Sequence, residues 1–426
     1  MTEAAQAVFA TWLRQTYPNP AESIAVAFSG GGDSLALLIL TLRHAGPRPV
    51  YALCVDHALQ EGSAKIIAAA AAQAQRLGAV AQTFYWHHGT ITSGVQEAAR
   101  KARYGLMGDF CRENRMDSLL VAHSRDDQAE TLWMRKQCGG GWRAMAGMSA
   151  SSYAPVWPQL RGVTLRRPLL EWGREDIRAI CRDAGEPWYD DPANENNDYL
   201  RVQARMALAS DPVLSPVLLE EGRKMRARRD GEARGVQDWL TEIDIVDGGG
   251  THVDQAALHN MSAPALARVL MCISGHPHMA DMARVRALID AMVEPGYNVQ
   301  TLGGCAILRQ DKGFIIARET GRWLAQNKPV KLPAHEPVVF DGRWEIVVAR
   351  KGLHAAPLWP ARGQLSKPQR AQLHSYNAHI RRGLVGVFEG RDMVATPFIP
   401  NGDVTYRNLV KSRLLKHSAK LGAAPA

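Results

Sequence analysis

Between residues 23 and 122 short apolar runs alternate with helical stretches, and the first run ends in Ser29-Gly30-Gly31-Gly32-Asp33-Ser34. No other feature of the chain restricts its fold so tightly. Ser23–Phe28, Pro49–Val55, Val80–Trp86 and Ser118–Ala122 read as strands, and Leu35–Arg43, Ser63–Leu77 and Val95–Glu113 as the helices between them. Single helices between strands make βαβ units and a parallel sheet. Ligands of such sheets sit at the carboxyl ends of the strands.

The Ser29–Ser34 segment therefore lies where a ligand is held. Three glycines let the backbone turn tightly and bring N–H groups close to an anion. The helix that follows adds its positive end, and two serines add hydroxyl donors. The result is a nest for a pyrophosphate-like group. It is neither G-x-x-x-x-G-K-[ST], since no lysine is present, nor G-x-G-x-x-G. A carboxylate beside phosphates repels them unless a cation lies between, so Asp33 is a candidate Mg²⁺ ligand. The plainer reading, an ordinary Gly-rich βα turn, does not account for Asp33.

The 426 residues allow two to four domains. We expect a nucleotide-binding domain over 1–210, a mainly helical segment over 211–298 and a small α+β domain over 299–426. Residues 139–158 are rich in Gly, Ser and Pro and read as a loop, Arg223–Arg234 as a basic helix, and Lys411–Lys420 as a frayed tail or a last helix. The six cysteines are scattered without a C-x-x-C, which disfavours a zinc ribbon and a disulfide scaffold and fits a reducing cytoplasm. No apolar run approaches membrane-span length, and the amino terminus lacks a secretory pattern. The net charge of +9 suits a polyanionic partner, nucleic acid first, although a soluble enzyme can be basic without one.

SGGGDS resembles the PP-loop of the ATP pyrophosphatases, which cleave ATP between its α and β phosphates and adenylylate a substrate. Within that superfamily the chain is similar to the lysidine synthases. The similarity rests on Val55-Asp56-His57-Ala58-Leu59, Ala98–Tyr104 with Arg100 and Arg103, and Ala122–Thr131 with Asp126, Asp127 and Glu130. Arg167-Pro168-Leu169-Leu170, and Asp191-Pro192-Ala193-Asn194 with Arg201 and Arg205, complete it. Beyond residue 210 it is fainter, with Thr301–Cys305 among the best echoes. The sequence departs from the family pattern at Ser124, Cys138, Ala193, Val202 and Gln203.

The resemblance implies an α/β fold with a Rossmann-like N-terminal parallel sheet, helices on both faces, then a helical, tRNA-contacting domain over 211–298 and a small α+β domain. It implies ATP and Mg²⁺ as cofactors, and an isoleucine tRNA with a CAU anticodon and free L-lysine as partners, with no membrane. Whether the chain is a homodimer stays open. ATP would lie on Ser29, Gly30, Gly31, Gly32, Asp33 and Ser34 with His57 nearby. Asp33 and Asp127 would hold Mg²⁺, with Asp126 and Glu130 in the catalytic set. Arg100, Arg103, Asn194, Arg201 and Arg205 would contact the RNA or the amino acid. A tRNA thiolase of the same superfamily, an amidotransferase-type synthetase and a non-catalytic RNA-binding relative are the alternatives.

Several of these residues have a plainer reading. A lone His57 is more often structural. Asp127 and Glu130 can form a capping box with Asp127 as N-cap. Asp126 and Asp127 project about 100° apart on a helix, so one of them is expected to reach the nucleotide. Arg201 taken alone reads as a solvated surface charge.

Overall fold

The computed structural model describes residues 3–89, 93–190, 200–399 and 401–418. The chain divides into two compact units between Asp230 and Gly231.

The first unit contains α1 (Glu3–Thr16), β1 (Ile24–Ala27), α2 (Gly32–His44), β2 (Val50–Asp56), α3 (Ser63–Arg76), β3 (Val80–Tyr85), α4 (Val95–Glu113) and β4 (Ser118–Leu120). Next come α5 (Arg125–Gln137), α6 (Trp142–Met145), β5 (Ser151–Tyr153), β6 (Thr164–Arg166), α7 (Arg174–Asp183), α8 (Leu200–Ser210) and the start of α9 (Leu214–Leu240). The strands form one sheet in the order β3-β2-β1-β4-β6-β5. All pairs are parallel except β5 with β6. The α/β expectation holds, with β5 and β6 added to the four strands read from the sequence. Part of the expected 139–158 loop is thus β5. Its Ser/Pro content hides anchors, since Tyr153, Val156 and Trp157 are buried.

Strand alternation sends side chains to both faces. Val50, Ala52 and Cys54 join a core with α1, α2, α3 and α7. Tyr51 and Phe84 point the other way and meet Phe110 of α4 at 5.5 and 5.7 Å between ring centroids. Chain order reverses between β1 and β4, so the crevice beyond their carboxyl ends is the place for a ligand. The loops after these two strands carry SGGGDS and AHSRDD.

The second unit opens on a five-stranded antiparallel sheet, β7 (Asp244–Val246), β8 (Gly250–Asp254), β9 (Val299–Leu302), β10 (Cys305–Gln310) and β11 (Gly313–Arg318), in the order 7-8-11-10-9. It shares a core with α10 (Ala263–Ser274) and α11 (Met282–Met292). The sheet draws strands from both sides of residue 298. After α12 (Gly321–Gln326) come β12 (Val330–Leu332), β13 (Val338–Phe340), β14 (Trp344–Val348), β15 (Leu353–Pro357), α13 (Lys367–Ser375), β16 (Val385–Glu389), β17 (Asp392–Ala395) and β18 (Val404–Asn408). These strands make a four-stranded and a three-stranded sheet around a second core. The basic C-terminal stretch is a helix, α14 (Val410–Ser418). Among the described residues no helix is long and apolar enough to cross a membrane.

Candidate active site

The phosphate loop is held by its own hydroxyls. Ser34 Oγ donates to Gly31 O at 2.8 Å, lies 3.1 Å from Ser29 Oγ, and accepts the Ser29 amide at 3.3 Å. Gly30 has φ +81°, and a Cβ there would lie 3.1 Å from Ala70 Cβ. Gly31 is the N-cap of α2, with no side chain capping the helix. A Cβ on Gly32 would lie 3.2 Å from the Trp188 indole. The loop is therefore small because α3 and Trp188 press on it, and the first amides of α2 face an anion site.

Asp33 stands at the start of α2, one-fifth exposed. Its Oδ1 is buried without a hydrogen-bond partner. Arg174 Nε lies 3.5 Å from Oδ2 and Arg178 Nε 3.6 Å from Oδ1. Burial pushes the Asp33 carboxyl above its ordinary value, and the charge of Asp127 adds to this against the pull of Arg174 and Arg178.

The acidic segment after β4 opens α5 differently from the sequence reading. The N-cap is Ser124, not Asp127. The Asp127 amide donates to Ser124 Oγ at 3.2 Å, and Asp127 Oδ2 accepts the Ser124 amide at 2.8 Å. Ser124 directly precedes Arg125, the first residue of α5, so its hydroxyl reaches the free amides of the first turn. One family departure thus has a structural role. Asp126 caps another helix, because its Oδ2 accepts the Arg174 amide at the start of α7 at 2.7 Å.

Asp127 Oδ1 and Glu130 face arginines from two helices. Asp127 Oδ1 accepts from Arg201 Nη2 at 2.7 Å and Arg174 Nη2 at 3.2 Å. Glu130 is 2% exposed. Its Oε2 accepts from Arg201 Nε at 2.7 Å, and its Oε1 from Arg205 Nε at 2.9 Å and Arg174 Nη2 at 3.1 Å. Arg201, though partly exposed, is therefore an ion-paired group and not a lone surface charge. Burial works against the charge of Arg174, but Asp127, Glu130 and Asp33 outweigh it and hold the guanidinium above its ordinary value. Arg174 thus spans Asp33 and Asp127, a cation shared by two carboxylates.

A second group gathers around His123. Arg167, 5% exposed, donates from Nε to His123 Nδ1 at 3.2 Å. Burial and the charges of Arg167, Arg201, Arg100 and Arg103 hold His123 well below its ordinary value, so it is a neutral imidazole. Burial first, then Arg100, Arg135 and Arg229, lower Arg167 to about 10 despite Tyr104. The guanidinium groups of Arg100 and Arg103 lie 5.0 and 5.2 Å from the Tyr104 ring. His57 follows β2, its buried Nδ1 lacks a partner, and burial, Arg103 and His88 lower its pKa against Asp56. Trp86 meets His57 edge-on at 6.2 Å.

Asn194 lies outside the described residues, as does Ala193. Sequence reasoning did not place Arg174, Arg178 or His123 in the site. One signal was available: four carboxylates expected in one crevice need counter-charges, and R-E-D-I-R after Gly173 supplies two arginines one turn apart. Among the described residues no three His, Cys, Asp or Glu side chains converge to hold a metal ion. Magnesium does not require three, since it binds one or two carboxylates together with substrate phosphates.

A family model described as a PP-loop domain matches residues 2–211. The tRNA(Ile)-lysidine synthase of Caulobacter vibrioides is 34% identical over 87% of this chain and 85% of its own length. This chain belongs to the tRNA(Ile)-lysidine synthase family. The Ruegeria pomeroyi relative of the same name is 33% identical over 89% of both chains. That of Hyphomonas neptunium is 35% identical over 76% of this chain and 89% of its own. The similarity thus extends well past the phosphate loop and into the second unit, where the sequence echoes were faint.

Proposed function

We propose that the chain joins free L-lysine to C2 of the wobble cytidine in an isoleucine tRNA with a CAU anticodon. ATP is the activator and AMP and pyrophosphate are the products. One observation carries this reading beyond the family: a phosphate loop whose Asp33 shares a guanidinium with Asp127 across the β1/β4 crevice.

ATP would place its phosphates on the Ser29–Ser34 loop, with the adenine toward His57. The cytidine O2 attacks the α-phosphorus and pyrophosphate leaves. The lysine ε-nitrogen, as a neutral amine, then attacks C2, and AMP departs with the oxygen. The α2 amides and the serine hydroxyls stabilise charge on the phosphates. Asp33, whose Oδ1 accepts no hydrogen bond, would hold Mg²⁺, with Asp127 joining it where Arg174 gives up its place between the two carboxylates. When bound, that ion supplies further charge neutralisation at the phosphates. Asp126 accepts the α7 amide through Oδ2 only, and its other oxygen is our choice to take the lysine ammonium proton. Glu130 is a positioning residue acting through Arg174, Arg201 and Arg205. Arg100, Arg103, Arg167 and neutral His123 form the positive wall along which the anticodon loop enters as an unstacked single strand. We place this activity in the cytoplasm.

The test is transfer of labelled lysine to an isoleucine tRNA transcript with ATP and Mg²⁺, with a methionine tRNA of the same anticodon as control. Label on the isoleucine tRNA alone, lost in Asp33→Asn, is expected. AMP release without lysine transfer would overturn the nucleophile, and neither product would overturn the catalytic reading.

A further inference from the structure

A cavity of the second unit, about 890 Å³, lies between the β9–β10 turn, α11 and α12. Arg284, Arg318, Arg322 and His276 line it with a single carboxylate, Glu319. That carboxylate is already engaged, since its Oε1 accepts the Gly321 amide at 2.6 Å and the Arg322 amide at 3.4 Å. The lining thus carries three arginines against one carboxylate, an excess of positive charge.

Two donors of the lining are buried without an acceptor. They are Arg318 Nε and the Nε1 of Trp323, which is 3% exposed. Orphan donors at the wall of a cation-rich cavity call for a ligand with several acceptor oxygens. Gly303 and Gly304 have φ +57° and +77°, and a Cβ on Gly304 would lie 3.1 Å from both Arg318 Nη1 and His276 Nε2. The glycine turn is therefore what lets this arginine and histidine stand side by side. Leu288 and Leu302 add an apolar flank suited to a base or ribose.

We infer that this cavity is a second phosphate site that takes a nucleoside phosphate, with Arg284, Arg318 and Arg322 on the phosphate oxygens. The shared chemistry allows two sources, a nucleotide within an RNA chain or a free mononucleotide. The RNA source rests on the function proposed above. The site itself does not, and lysine transfer can fail while binding here stands.

The experiment uses the full chain with Arg284→Gln and Arg322→Gln, singly and together. Arg391→Gln is a control that removes an exposed charge outside the cavity. Circular dichroism melting checks folding; if one variant fails to fold the other single variant is read alone, and Arg284→Lys, which keeps the charge, is expected to keep the wild-type slope. Binding of the isoleucine tRNA transcript is measured against salt, and AMP stoichiometry by calorimetry.

If RNA is the source, the double variant binds tRNA about ten-fold more weakly, and the slope of log K against log salt falls by about 1 per arginine. Arg391→Gln keeps the wild-type slope. If a free nucleotide is the source, AMP stoichiometry falls from two to one with the tRNA slope unchanged. Unchanged tRNA slope together with unchanged AMP stoichiometry overturns the site. So does an Arg391→Gln effect equal to that of the cavity arginines.

Discussion

Glu130→Gln tests whether one buried carboxylate holds the arginine cluster together. The replacement has almost the same shape, yet it removes the charge that three guanidinium groups share at 2.7, 2.9 and 3.1 Å. A glutamine amide presents one oxygen. Its NH₂ then meets a guanidinium donor, so at least one contact becomes donor against donor. Asp33 and Asp127 would remain against Arg174, Arg178, Arg201 and Arg205. Removing one partner of a buried ion pair costs about 3–5 kcal/mol. Arg201 and Arg205 are 43% and 33% exposed and can turn partly to water, which recovers some of that cost. The net loss is about 2–4 kcal/mol. For a cooperative unit of this size each kcal/mol shifts Tm by about 2–4 °C, so the variant should melt roughly 4–16 °C lower. Circular dichroism melting and urea unfolding measure it. Pairing the change with Arg205→Gln should restore about 1–2 kcal/mol of coupling, because the unpaired cation goes too. A variant melting within about 1 °C of the parent, or a cycle with no coupling, would refute the reasoning.

Gly30→Ala puts a side chain at φ +81° and 3.1 Å from Ala70 Cβ. It should lose about 1–2 kcal/mol of stability and weaken ATP binding, as read by urea unfolding and nucleotide titration; unchanged ATP affinity would argue against the loop as phosphate nest. Among the described cysteines only Cys138 is exposed, while burial pushes Cys54, Cys111 and Cys305 up to about 12 and Cys181 and Cys272 to about 11. A thiol reagent should therefore modify one thiol rapidly in the native chain and the rest only on unfolding; fast reaction of two or more contradicts the buried placement. His123 is depressed below its ordinary 6.5. As pH falls through that value the unfolded chain takes a proton that the folded one refuses, so its contribution to stability is lost toward the folded pKa. Urea unfolding at pH 7.5 and 5.5 should show a smaller drop for His123→Gln than for the parent, and equal drops would count against the neutral imidazole.

The parallel sheet, the phosphate loop and the acidic turn after β4 were legible in the sequence because each is local. Apolar runs of strand length, glycines at a strand end and carboxylates after a strand need no distant partner to be recognised. The partners of those carboxylates were not legible. Asp127 and Glu130 meet Arg174 some 45 residues on and Arg201 and Arg205 more than 70 on, and spacing along a chain carries no information about such pairings. The same holds for the cap of α5. Asp127 with Glu130 and Ser124 with Asp127 are equally good capping patterns, and only the point where α5 begins chooses between them. Strands β5 and β6 escaped notice because Ser151–Tyr153 and Thr164–Arg166 are short and mostly polar, unlike the largely apolar Ser118–Ala122 run that holds β4. Pairing of β6 with β4 and of β5 with β6 decided them. By itself the sequence determined the kind of fold and the place of the nucleotide loop. Tertiary structure decided which charges neutralise one another, because burial makes an unpaired charge costly and only the folded chain brings the counter-charge within reach.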